Sequence, residues 1–314
     1  MTDLLARQLL VVTGKGGVGK TTVAAGLARL AARQGRRTLV CEVDAKGSLA
    51  GAFDAAPLGF VPRTVGTDLW AMTMNTEDSL REYLAVQLRV PLLARIGPLA
   101  RTFDFVASAA PGVREILTIG KLCYEVRERH YDLVVVDATA SGHVVAQLSA
   151  AATIEHLVQV GPVREQTRWM RAILEDPART GVVIVTTGEE MPVVETIELA
   201  DRLQAETGTH LAAVVANRVL PEPFARPDEA VFARLGLVKS RKALAAAAGP
   251  GVGAVLDATA LAVTLRRRQA AHLDTLRAAI GGRVPVLYLP ERFDRAQGLA
   301  ATQRVADALG EELE

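Results

Sequence analysis

Cysteine is nearly absent: Cys41 and Cys123 are the two in 314 residues. They form no CxxC or other ligand-spaced cluster, which excludes a disulfide framework and leaves no thiol set for structural zinc. Aromatics make up 4% of the chain, a level that suits alanine-rich helices packed closely on a sheet. Charge of one sign is missing too. Lys and Arg number 36 against 35 Asp and Glu, so no global field draws the chain to nucleic acid or anionic lipid. No apolar run is long enough to span a bilayer. The first such run, Leu9–Val12, is assigned to a strand and not to a signal peptide, and the expectation is a cytoplasmic protein. Half of the residues are apolar, enough for one large α/β domain or two small ones.

Against that background one stretch stands out. Gly14-Lys15-Gly16-Gly17-Val18-Gly19-Lys20-Thr21-Thr22 follows the apolar run and opens into the helical pattern Val23–Ala31. It fits G-x-x-x-x-G-K-[ST] in strand–loop–helix context, the phosphate-binding P-loop. The glycines let backbone N–H groups turn toward phosphate oxygens, and the helix beginning at Lys20 adds its N-terminal dipole. Lys20 is expected on the β- and γ-phosphates and the Thr21 hydroxyl on Mg²⁺. Lys15, a second lysine early in the loop, is the mark of the deviant Walker A class. It resembles ATPases in which this residue crosses a dimer interface to the partner's nucleotide.

Two further strands deliver carboxylates. Thr38–Val43 reads as a buried parallel strand ending at Asp44, at the carboxyl edge where ligands of doubly wound sheets lie. Asp44 either orients or deprotonates a water for attack on the γ-phosphate, or caps a turn, since Ala45-Lys46-Gly47-Ser48 is also good turn chemistry. Tyr131–Val136 is the least ambiguous strand and ends at Asp137, a Walker-B carboxylate for the metal. The magnesium set is therefore Thr21, Asp44 and Asp137. His143, a loop histidine without a partner, reads as structural.

The remaining pattern predicts strands at Leu69–Met74, His156–Val160, Gly181–Thr187, Leu211–Ala216 and Val284–Leu289. Helical insertions are expected at about 76–130 and 228–280, the second broken at Gly249–Gly253, within one domain over 1–314. The apolar side of the first insertion includes Leu92, Leu93, Ile96, Leu99, Phe103, Phe105 and Val106, read as core or as a partner surface. Asn217 can offer donor and acceptor to an adenine edge, or serve a turn. Arg218 beside it and Pro290, in the loop after the last strand, complete the candidate base contacts. Arg266-Arg267-Arg268 reads as a solvated helix face.

Taken together, these segments resemble the ArsA ATPase family. Its loop GKGGVGKTT is matched by Gly14–Thr22, its switch I D-P-A-H-N aligns with Asp44–Ser48, and its switch II D-T-A-P-T-G-H aligns with Asp137–His143. P-G-x-x-E appears as Pro111–Glu115, E-E-M-P-V-x-E-T as Glu189–Thr196, and the adenine-contacting Asn as Asn217. The resemblance implies a doubly wound, mostly parallel α/β sheet, ATP and Mg²⁺ as ligands, and catalytic roles for Asp44, Lys15 and Lys20. It also implies a twin-site dimer that opens and closes with nucleotide. Switch I keeps its Asp but loses Pro, His and Asn, and switch II has Ala140 in place of Pro. The CxxC of the tail-anchored-protein targeting factor, the cysteine cluster of the arsenite-pump ATPase and a Met-rich client groove are absent, so neither zinc nor arsenite is expected. The pattern is nearest the bacterial members, including actinobacterial forms thought to pair as heterodimers.

Three functions follow as expectations. The first is a Mg²⁺-dependent ATP hydrolase switching a surface for a protein client or membrane-protein partner, as homodimer or heterodimer. The second is an ATP-binding scaffold or regulatory subunit with little turnover. The third is a partitioning ATPase of the ParA/MinD type, disfavoured by the acidic tail Arg304–Glu314.

Overall fold

The computed structural model describes residues 4–43, 47–75, 78–79, 82, 113–157, 162–293 and 296–314. Among these, β1 (Leu9–Gly14), α1 (Lys20–Arg33), β2 (Thr38–Glu42), α2 (Ser48–Ala52), β3 (Arg63–Gly66) and β4 (Leu69–Thr73) form the first third. Next come α3 (Val113–Arg127), β5 (Leu133–Ala140), α4 (Ser141–Leu157), α5 (Pro162–Leu174), β6 (Thr180–Thr187), α6 (Glu190–Glu206) and β7 (Leu211–Val219). The last part is α7 (Arg226–Leu235), α8 (Val238–Ala248), α9 (Val252–Ile280), β8 (Val286–Pro290) and α10 (Gly298–Leu313).

Eight strands form one sheet in the order β3-β4-β2-β5-β1-β6-β7-β8. Every pairing is parallel except the edge hairpin β3–β4. The central strands are apolar at nearly every position because both faces are covered. One core lies between the sheet and α1, α2 and α10, and includes Leu10, Val12, Leu27, Val135 and Leu309. The other lies under α3, α4, α5, α6 and α9, and includes Val11, Leu122, Val136, Leu148, Ile184 and Leu276. Strand order reverses direction around β1, so its carboxyl end opens into the crevice where such sheets bind ligands.

Of the strand expected at His156–Val160, the first two residues are helical. His156 and Leu157 end helix α4, and 158–160 lie outside the described residues. Ala150-Ala151-Ala152 favours helix, and both places beside β1 are taken by β5 and β6. The antiparallel strand β3 is an element that periodicity did not point to: four half-exposed or exposed residues carry no alternation. Of the first insertion, only Asp78, Ser79, Glu82 and α3 onward are described, and the apolar residues between Leu92 and Val106 lie outside the described residues. The second insertion is α7, α8 and α9, broken where the glycines stand. Both cysteines are buried, and burial pushes the Cys123 thiol up to about 12 and Cys41 higher still.

Candidate nucleotide site

The loop of residues 14–19 leaves β1 and enters α1 at Lys20. Gly14, at φ 143°, is the crossing point: a Cβ there would lie 2.1 Å from the Val185 carbonyl oxygen of β6, so no side chain fits. Gly19 has φ 96°, and a Cβ on it would meet the Asn217 amide nitrogen at 2.3 Å. A Cβ on Gly16 or Gly17 would meet nothing within 4 Å, so the outer rim of the loop is open space. Val18 is buried beneath it. The Lys20 ammonium donates to the Lys15 carbonyl oxygen at 3.0 Å, folding back over the loop it belongs to.

The two oxygen ligands expected for a metal meet. Thr21 Oγ1 donates to Asp137 Oδ2 at 2.6 Å, across 116 residues of sequence. Asp137 is 6% exposed, and oxygens this close can be bridged by one cation with bonds of about 2.1 Å. Two residues on, Thr139 Oγ1 is buried and has no hydrogen-bond partner among the described residues. The ladder is bulged here: β5 advances three residues, Asp137 to Ala140, while β1 advances two, Val12 to Gly14. A buried hydroxyl without a partner, two residues from a strand-borne carboxylate, is a group that a bound metal–triphosphate can satisfy. Asp44, the third expected ligand, lies outside the described residues, as do Ala45 and Lys46.

Lys15 does not extend away from the chain. Its ammonium is 2.6 Å from Glu195 Oε1 on α6, within the Glu189–Thr196 segment. Glu195 is a residue that sequence reading named only as part of a motif. Glu42 was missed altogether. At the end of β2 it is 3% exposed, it is the register partner of Asp137, and its carboxylate accepts the N–H groups of Gly47 and Ser48 at 3.2 and 3.0 Å. It caps the start of α2 by accepting both N–H groups. The one available signal was an acidic residue ending an otherwise apolar strand.

Beside the loop is a cleft of about 240 Å³ lined by Thr22, Asn217, Arg218, Leu289, Pro290 and Val305, among others. All three candidate base contacts border it. Asn217 donates one amide N–H to the Val18 carbonyl oxygen at 2.9 Å, so it braces the phosphate loop and faces the cleft together. Arg218 is exposed and takes φ 58°. His143 is exposed on the first turn of α4. On α9, Arg267 and Arg268 are exposed, and Arg267 pairs with Glu229, but Arg266 departs from the expected solvated face: its side chain is 20% exposed, pairs with Glu222 and keeps Nε and Nη1 buried.

A glycine loop on the central strand of a doubly wound sheet, with a Thr–Asp oxygen pair at its helix, defines a P-loop fold that binds nucleoside triphosphate. The profile of the anion-transporting ATPase family, ArsA, matches residues 7–166 and 151–242. The ATPase BagA of Mycobacterium tuberculosis is 30% identical over 307 residues, covering 91% of this chain and 88% of that protein. ATPase ASNA1 homolog 1 of Paramecium tetraurelia is 31% identical over 150 residues, covering 45% of this chain and 42% of that protein. An uncharacterized protein of Streptomyces coelicolor is 28% identical over 224 residues, covering 70% and 55%. The chain belongs to the ArsA ATPase family. No helix among the described residues is long and apolar enough to cross a membrane.

Proposed function

We propose that this chain is a Mg²⁺-dependent ATP hydrolase, acting in the cytoplasm as a nucleotide-driven dimeric switch that handles a protein client or membrane-associated partner. The observation that carries the hydrolase reading is the 2.6 Å bond between Asp137 and Thr21, the residue after Lys20 in the first turn of α1. Thr21, Asp137 and Asp44 would hold the metal, which when bound neutralises charge on the β- and γ-phosphates. The backbone of Gly16–Thr21 and the start of α1 hold the phosphates in place. Lys20 moves from the Lys15 carbonyl to the β- and γ-oxygens and offsets charge that builds during transfer. Asp44 orients the attacking water and accepts its proton. Asn217, Arg218 and Pro290 hold the base in the neighbouring cleft. Lys15 exchanges Glu195 for a phosphate across a dimer with a second copy or a related subunit.

Phosphate release by the purified protein tests this, with Asp44→Asn as control. Magnesium-dependent turnover that Asp44→Asn abolishes, with ATP still bound, is expected. Tight ATP binding without turnover in the wild type would replace the hydrolase by the regulatory-subunit reading. The observation favouring that second reading is Glu42 holding the Gly47 and Ser48 N–H groups, at the end of a switch I segment that lacks the family's Pro, His and Asn.

A further inference from the structure

The long helix α9 reaches the end of β7 through Gln269. Between Ala216 and Val219, β7 advances three residues while β8 advances two, from Tyr288 to Pro290, so Asn217 and Arg218 form a bulge. Bulges re-aim side chains and take backbone groups out of the ladder. Arg218 adds strain, since its φ of 58° is the left-handed region that side chains disfavour. Something must hold the bulge, and Gln269 of α9 does. Its amide nitrogen donates to the Arg218 carbonyl oxygen at 2.9 Å, and its amide oxygen accepts the Leu220 N–H at 2.7 Å. One side-chain amide thus takes the place of a strand neighbour beyond Asn217, where β6 has ended at Thr187.

The fit leaves no slack. A Cβ on Gly188, just past β6, would fall 2.2 Å from Gln269 Cγ and 3.2 Å from Leu273 Cγ. Room for the glutamine exists because residue 188 has no side chain. On the other side of the bulge, Asn217 seats against Gly19 and bonds Val18, leaving its other N–H and its carbonyl oxygen for the cleft. An adenine edge pairs an amino donor with a ring acceptor, and a single amide matches both only at a fixed angle.

We infer that Gln269 is a positioning residue for base recognition: it locks the Asn217–Arg218 bulge so that the Asn217 amide meets the adenine edge. This rests on the ATP reading of the site and deepens it. Gln269 touches no part of the nucleotide and acts through Asn217.

The test separates base from phosphate. Dissociation constants are measured for Mg·ATP, Mg·GTP and Mg·tripolyphosphate, which has the phosphates without a base. Gln269→Met keeps the bulk and removes both bonds. It is expected to weaken ATP about tenfold, bring ATP and GTP together by a comparable factor, and leave tripolyphosphate within about twofold. Gln269→Glu still accepts from Leu220 and should fall between. Gly188→Ala displaces an unaltered Gln269 and should reproduce the Met variant. It also decides the matter if Gln269→Met fails to fold. An equal loss for ATP and tripolyphosphate, or an unchanged ATP/GTP ratio in a variant with a native melting curve, overturns the proposal. Wild type that binds tripolyphosphate yet ignores the base removes the base cleft and the proposal with it. Wild type that binds neither ATP nor tripolyphosphate removes the phosphate-loop reading beneath both.

Discussion

Lys15 in the phosphate loop and Glu195 on α6, 180 residues apart, form an ion pair at 2.6 Å with both side chains about one-third exposed, at 34% and 31%. A pair this open contributes little to stability, on the order of 0–1 kcal/mol. Its importance is where it holds the ammonium. Glu195→Gln is expected to shift the melting temperature by less than about 3 °C and to leave kcat unchanged. Lys15→Ala is expected to lower kcat by about 10²-fold, the scale of removing one preorganised charge donor. Steady-state phosphate release on both variants checks this. If Glu195→Gln loses as much as Lys15→Ala, the ion pair itself is required for turnover and the exchange of partners is refuted.

Asp137→Asn keeps a hydrogen-bonding side chain opposite Thr21 and removes the anion. The protein should fold, bind the nucleotide base, and need much more magnesium, with kcat down by about 10²-fold or more. Titrating magnesium at fixed ATP reads the shift. Thr21→Ala should move the same curve in the same direction. Curves that overlay the wild type would place the metal elsewhere.

Glu42 is buried and accepts two backbone N–H groups. Glu42→Ala leaves the Gly47 and Ser48 donors without it and is expected to cost about 1–3 kcal/mol in urea denaturation. Glu42→Gln, with one acceptor oxygen left, should cost less. Both should slow hydrolysis more than they weaken ATP binding, because Glu42 anchors Gly47 and Ser48, which follow Asp44 closely in sequence. An effect on binding alone would count against this role.

Gly14 and Gly19 both have positive φ, yet a Cβ would meet different things at the two positions. At Gly14 it meets a backbone carbonyl of β6 that cannot step aside, so Gly14→Ala should lose more than about 3 kcal/mol or fail to accumulate folded. At Gly19 it meets the end of the Asn217 side chain, which can rotate. Gly19→Ala should fold at a cost of about 1–2 kcal/mol and bind ATP more weakly than tripolyphosphate. Equal losses of stability at the two sites would contradict this account.

Local pattern carries a good part of this protein. The phosphate loop with its strand and helix, the strand that carries Asp137, though it runs from Leu133 on to Ala140 and not from Tyr131 to Val136, and the break of the second insertion at its glycines are legible because each depends on residues a few positions apart: apolar runs, helical spacing, turn chemistry. The same kind of reading fails where neighbours do not decide. His156 and Leu157 look like a strand start until β5 and β6 are seen flanking β1, and β3 has no alternation to betray it.

The sequence by itself determined which groups are present: two lysines in a glycine loop, and carboxylates and an asparagine following apolar runs. Only the tertiary structure decided who meets whom. Placing β5 between β1 and β2 sets Asp137 against Thr21 and beside Glu42. Packing α6 near the loop gives Lys15 its carboxylate, and laying α9 past Gly188 gives the β7 bulge its glutamine. Those contacts join residues tens to nearly two hundred positions apart, and they follow from strand order and helix packing, which depend on burying the whole apolar surface together and on no short stretch of chain.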